Sequence, residues 1–187
     1  LNGNAVQEDC NCYTLTHDTR NQSGSVWNIN KIDLSEPFDF HFNVFLGCRD
    51  SDGADGIAFV LQPISTSIGS TGQGLGIQGV SPSLVVAIDT YTNSDFGDPA
   101  YDHLAIHLNG DLNHNSANNI AGPVKALADN DNIEDCNWHI IRISWDPTAS
   151  VITVYMDGKE RVQTTINLVQ QVFNGDPKVF WGFSGAT

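Results

Sequence analysis

An all-β fold built as an antiparallel β-sandwich is what this sequence predicts, and three observations carry the prediction. Apolar and polar residues alternate with a period of two in several short runs, helical periodicity is nearly absent, and clusters of Gly, Asn, Asp and Pro separate the runs. Short strands with one apolar face each must bury those faces against one another, which favours two packed antiparallel sheets.

The clearest strand is Phe38-Asp39-Phe40-His41-Phe42-Asn43-Val44, where every second residue is apolar, as a strand with one wet face requires. Runs 56–62, 84–91, 103–109, 138–145, 150–156, 159–165 and 178–183 are further strands. Asp157-Gly158 joins two of them as a hairpin turn, because glycine tolerates the positive φ such turns need. Only 167–173 suits a short helical turn, and the Asn-rich stretch 110–137 is expected to run as a long irregular connection over one face. No internal repeat or linker divides the chain, so its 187 residues are expected to form one domain.

Charge narrows the partners. Acidic residues number 22 against 8 basic ones, for a formal net charge of −14, which opposes phosphate backbones and anionic lipid. Nucleic acid is therefore excluded as a partner class. No segment approaches the roughly 20 apolar residues of a membrane span, so membrane insertion is not expected, and the first residues lack the character of a signal peptide. Four cysteines without a CxxC pair argue against a zinc or thioredoxin-like motif and favour disulfides outside the cytosol. The expected bridge is Cys48–Cys136; Cys10 and Cys12 are too close together to bridge each other.

The densest set of oxygen-bearing side chains is Asp89-Thr90-Tyr91-Thr92-Asn93-Ser94-Asp95-Phe96-Gly97-Asp98-Pro99, followed by His103. A strand that ends at Asp89 and a turn that returns at Asp98 let carboxylates, an amide and exposed carbonyls converge. Calcium takes six to eight oxygens at roughly 2.3–2.6 Å and accepts such mixed donors. Unpaired carboxylates gathered together repel, and a bound cation removes that cost. From spacing alone, a self-capped Asp/Asn-rich turn without an ion is an equally good reading.

At this loop the sequence resembles the legume-lectin-like (L-type) family, whose metal loop reads D-x-[YF]-x-N-x(4)-D-P followed by a His. Asp89, Tyr91, Asn93, Asp98, Pro99 and His103 match it. GADGIAFVLQP at 53–63 is similar to the family's sugar-binding strand, GQGLGIQG at 72–79 to its glycine loop, and VFWGFSGAT at 179–187 to a late strand. The resemblance covers the chain from about residue 35 onward, and its narrower form is similar to bacterial lectin domains of large surface proteins. It implies a concanavalin A-like jelly roll, a secreted or cell-surface location, and a further sugar-contacting loop and closing strand after the position of Thr187; residues 1–187 are then a single lectin-like domain shortened at its C-terminal strand, or a sheet completed differently.

The resemblance also implies roles. Calcium would be held by Asp89, the Tyr91 carbonyl, Asn93 and Asp98. The family's neighbouring transition-metal site takes a Glu two positions before the first Asp, both Asps and the His. Ala87 stands at that Glu position, which puts the second metal in doubt, although His103 with Asp89 and Asp98 could hold an ion weakly; without one, His103 would hydrogen-bond Asp98 or a backbone carbonyl. On the sugar side, Asp55 would accept hydrogen bonds from two hydroxyls, Asn93 would donate its amide while its oxygen faces calcium, and a backbone N–H near Gly74 would complete the contact. Tyr91, with Phe96 and Tyr101 as lesser candidates, would stack on a pyranose. The peptide joining Ala54 and Asp55 is expected to be cis.

These implications add up to calcium-dependent glycan binding by a non-catalytic adhesion module, with glycans or glycoproteins as partners. A glycoside hydrolase on a similar sandwich is the enzyme alternative. It needs two carboxylates about 5–10 Å apart, and the E-x-D-x-E strand motif is missing from a chain whose only glutamates are Glu8, Glu36, Glu134 and Glu160. No G-x-S-x-G elbow supports serine chemistry. A module that calcium merely stiffens is the third reading; Asp55 beside Asn93 favours sugar binding over it.

Overall fold

The computed structural model describes residues 1–69 and 74–187. Its strands in chain order are β1 (Asn2–Gly3), β2 (Val6–Asp9), β3 (Cys12–Thr14), β4 (Ser23–Trp27), β5 (Ile32–Asp33), β6 (Phe38–Phe45), β7 (Gly56–Gln62), β8 (Leu84–Asp89), β9 (His103–Leu108), β10 (Asn119–Lys125), β11 (Trp138–Asp146), β12 (Val151–Met156), β13 (Lys159–Thr165) and β14 (Lys178–Ala186). An eight-stranded sheet runs β1-β4-β14-β7-β8-β9-β10 with β5 joined to β14, and a four-stranded sheet runs β13-β12-β11-β6. Every pairing is antiparallel. The predicted sandwich is therefore the fold.

The alternating residues of both sheets fill the space between them. Phe59, Leu61, Leu84, Val86, Ile88, Leu104 and Ile106 of the larger sheet meet Val44, Ile141, Ile143, Ile152 and Val154 of the smaller. Strands β7, β8 and β9 are buried on both faces, because their other residues, Ala58, Val60, Val85 and Ala87, form a second cluster with Leu75, Ile77 and Leu112 from covering loops. By the same alternation Asp89, His103, Ala105 and His107 lie on that outer, loop-covered face.

The run at 56–62 is β7 as predicted, and 38–44, 138–145, 150–156 and 159–165 match within a residue. A single wide helical turn, Leu168–Val172, stands where one was expected. The expectation of an irregular 110–137 fails over Asn119–Lys125, which pairs with β9 as the sheet's edge strand. Its register shifts twice, which erases the alternation, and Pro123, which lacks an N–H, is tolerated because the strand has an unpaired edge. Of the short strands before residue 34, β2 is exposed along its whole length and shows no buried face to read, while β4 is buried at Gly24 and Ser25, which carry no apolar period. Strand β14 runs past 183 to Ala186, where Ser184, Gly185 and Ala186 pair with both β4 and β7. Cys48 and Cys136 form the expected disulfide, with Cα atoms 4.5 Å apart, while Cys10 and Cys12 are free and exposed.

Candidate functional site

Antiparallel register assembles the site. Gly56 opposes both Asp89 and Ala186, so the start of β7 lies between the ends of β8 and β14. The Asp55 N–H donates to the Ala186 carbonyl at 2.9 Å, and the Asp55 carbonyl accepts from Thr90 N–H at 3.0 Å. Asp55, which follows a cis Ala54–Asp55 peptide, is thus fixed beside the loop that begins at Asp89. Gly56 is required there: its φ is +127°, and a Cβ would strike the Ile88 carbonyl.

The loop after β8 is a compact turn. Asp89 Oδ1 accepts from Tyr91 N–H at 3.0 Å, Asp98 Oδ2 accepts from Asn93 N–H at 2.7 Å, and the Asn93 carbonyl accepts from Phe96 N–H at 2.9 Å. Asp89 is buried, and burial pushes its carboxyl well above the usual range, helped by the charges of Asp98 and Asp55. Among the described residues no lysine or arginine pairs with Asp89 or Asp98; the groups near Asp98 are the imidazoles of His103 and His114. Asn93 Oδ1 is buried and has no hydrogen-bond partner. A buried amide oxygen left bare beside uncompensated carboxylates is what a hard cation would satisfy.

Asp98, His103 and His114 together form a cluster able to hold a metal ion. His103 Nε2 and His114 Nε2 are 2.8 Å apart, and Asp98 Oδ1 lies 3.4 Å from the second and 3.9 Å from the first. His103 Nδ1 faces the Tyr101 carbonyl at 3.3 Å, the carbonyl contact foreseen for it. Burial, then His114, brings His103 down to about 4, and burial brings the neighbouring His107 down to about 3, so both rings are neutral at physiological pH. His114 arrives on the Asn-rich loop. There Asp111 accepts from Ser116 Oγ and from Asn118 Nδ2, bonds that hold its carboxyl low, and His114 N–H donates to the Phe96 carbonyl at 2.8 Å. Abundant Asn and Asp in 111–118 thus serve to close this loop on the turn after β8.

Asp55 and Tyr91 line one surface cleft of about 780 Å³, with Thr90, Glu134, Arg49 and Thr187 in the same wall. Burial raises the Asp55 carboxyl above its ordinary value. Tyr91 is 44 % exposed, available as a stacking face. Among the described residues the wall includes neither Gly74 nor Asn93. Gly74 sits in a buried turn closed by the Ile77 N–H at 2.8 Å, and positions 72 and 73 of the glycine loop lie outside the described residues. Phe96 packs against the outer apolar cluster rather than into the cleft.

Three groups escaped the sequence reading. Glu134 is buried at the cleft wall with Oε2 unpartnered, and burial, then Asp102 and Asp50, lifts its carboxyl to about 8. Asp102 accepts from the Ile133 N–H at 2.7 Å and is raised to about 6, burial again leading. His114 is the third. Neither Glu134 nor His114 carries a local signal, since each reaches the site from an irregular loop; for His114 the one hint was a lone histidine in an Asn/Asp-rich run.

A family model described as the legume lectin beta-barrel domain matches residues 1–187. The chain is 28 % identical over 206 aligned residues to a putative L-type lectin-domain containing receptor kinase of Arabidopsis thaliana, an alignment covering 100 % of this chain and 33 % of that protein. It is 33 % identical over 97 residues to the serine-rich adhesin for platelets of Staphylococcus aureus, covering 49 % of this chain and 7 % of the adhesin. Among solved structures, the metal-free form of lectin I-B4 from Griffonia simplicifolia superimposes with a TM-score of 0.79 at 23 % identity, over 100 % of this chain and 84 % of that one. The chain spans 33 % or less of the length of such curated relatives.

Proposed function

Because this chain belongs to the legume lectin family, a family of non-catalytic carbohydrate-binding proteins, we propose that it is a calcium-dependent glycan-binding module of a secreted or surface adhesion protein. On this reading the domain binds its ligand without catalysing a reaction. The observation that carries the calcium reading is Asn93 Oδ1, buried without a partner in a turn whose carboxylates have no lysine or arginine beside them. Asp89, the Tyr91 carbonyl, Asn93 and Asp98 would hold the ion. Calcium there supplies positive charge that keeps Asp89 ionised and fixes the Asn93 amide. Asp55 then acts as the acceptor for a pair of sugar hydroxyls, its carboxylate facing the cleft that Tyr91 flanks. Gly74 N–H is the proposed third contact. The surface location is supported by the likeness to a staphylococcal adhesin and a plant receptor kinase. No helix of the described residues is long and apolar enough to cross a membrane.

A glycan array probed with and without a calcium chelator tests the reading. Retention that chelation abolishes and added calcium restores is the expected result. Binding of calcium with no glycan retained would instead favour a module that the ion only stiffens.

A further inference from the structure

We infer that Asp98, His103 and His114 form a second metal site, for a nitrogen-preferring divalent transition ion such as zinc, on a donor set that departs from the one the family resemblance implies. That resemblance would place a Glu at position 87. Here Ala87 occupies the outer face of β8, two residues before Asp89 and in register beside Ala105, and its methyl group offers no donor. The structure brings a replacement from elsewhere. His114, eleven positions beyond His103 on the Asn-rich loop, meets His103 and Asp98 with its side chain 5 % exposed.

The exchange of a carboxylate for an imidazole changes which ion the site suits. Two imidazole nitrogens and one carboxylate oxygen form a zinc-type set of three protein ligands with a position left open. Ligand atoms 2.0–2.1 Å from a tetrahedral zinc lie about 3.3 Å from each other. The observed separations of 2.8, 3.4 and 3.9 Å bracket that value. His103 is oriented for the role by its Nδ1, which donates to the Tyr101 carbonyl and leaves a lone pair on Nε2.

Hydrogen bonding alone does not settle this cluster. With a lone pair on His103 Nε2, the 2.8 Å contact requires His114 Nε2 to be the donor. His114 Nδ1 is buried with no partner whichever nitrogen carries the proton, so the choice turns on Asp98 Oδ1, 3.4 Å from His114 Nε2, which the one N–H given to His103 cannot also serve. His107, whose ring lies 5.0 Å from that of His114, is also fully buried with neither nitrogen paired. A cation at the convergence would bind both Nε2 lone pairs and Asp98 Oδ1, while Asp98 Oδ2 remains with Asn93 N–H on the calcium side. The inference rests on these three side chains and not on glycan binding, so either reading can fail without the other.

The test is zinc titration by calorimetry on protein held in saturating calcium, which keeps the oxygen-lined turn occupied, repeated with cobalt(II) read by visible absorption. We expect one equivalent of zinc, and a cobalt spectrum of a nitrogen-containing site, both weakened about 100-fold or more in His114→Ala and His114→Gln. Circular dichroism checks that the variants fold. If they do not, ¹⁵N shifts of the wild-type histidines decide, since both His103 and His114 Nε2 must move on zinc addition. No zinc uptake by the calcium-loaded wild type, uptake unchanged in the folded His114 variants, or immobile Nε2 shifts would each overturn the assignment.

Discussion

On the exposed face of the smaller sheet, Asp39 receives Arg142 through two hydrogen bonds of 2.8 Å, and the pairing holds its carboxyl below the usual range. At the end of β8 in the larger sheet, Asp89 is buried, with no lysine or arginine beside it, and its carboxyl is driven upward. One aspartate is balanced by the protein itself; the other is not. Asp98, Asn93 Oδ1, Asp55, Asp102 and Glu134 cluster round the second kind of setting, and Arg49, which reaches the same cleft wall, pairs with Asp18 and Asp52 instead. Uncompensated negative charge collected at one end of a sheet is the physical mark of a site that waits for cations, because burial of charge without a partner costs several kcal/mol.

The sharpest way to break the contrast is Asp98→Ala. Asp98 offers one oxygen toward the Asn93 side and the other toward the imidazoles. Its loss should abolish calcium uptake by calorimetry and, with it, glycan retention; unchanged uptake would contradict the ligand set. Next comes Asp55→Ala, which should remove glycan binding while calcium uptake and the far-ultraviolet spectrum stay as in the wild type. A variant that binds glycan at full strength would refute the role given to Asp55. Calcium should also stabilise the wild type, by about 2.7 kcal/mol when present at about 100 times its Kd, seen as a rise in Tm that Asp98→Ala lacks.

The same contrast separates what the sequence made legible from what it hid. The sandwich was readable because strands such as Phe38–Phe45 alternate cleanly over a single buried face. The proposed calcium turn stands out in the sequence because all its candidate oxygens lie within ten residues, Asp89 to Asp98. His114 and Glu134 do not, since both depend on where irregular loops land, and loop closure here is decided by side-chain caps such as those on Asp111 rather than by a period. Edge strand β10 was hidden by its two register shifts. Gly74 follows from resemblance to a loop whose residues 72 and 73 lie outside the described residues, and Gly74 itself is not among the residues that line the cleft.

Glu134 offers a subtler test, through pH. Its folded-state carboxyl is raised to about 8 from an ordinary value of 4.5, so the folded protein holds a proton that the unfolded chain gives up. Stability from this group is fully present below about pH 4.5 and is lost as pH rises through about 8. Urea unfolding of calcium-free protein at intervals across that window should show the decline, and Glu134→Gln should flatten it by keeping a neutral side chain throughout. A slope identical in the two proteins would mean that Glu134 ionises freely at the cleft wall.

The smallest effect belongs to the balanced aspartate. Arg142 lies over the Tyr155 ring as well as pairing with Asp39, and both ends of the pair are solvent-exposed. Water and salt screen such a pair, so a double-mutant cycle of Asp39→Ala and Arg142→Ala should return a coupling of only about 0.2–1 kcal/mol, smaller still at high salt. Neither change should alter calcium or glycan binding, because neither residue touches the uncompensated cluster. A loss of calcium affinity in Arg142→Ala would show that the two sheets share one charge balance after all, and the distinction between a self-neutralised face and a cation-seeking one would have to be given up.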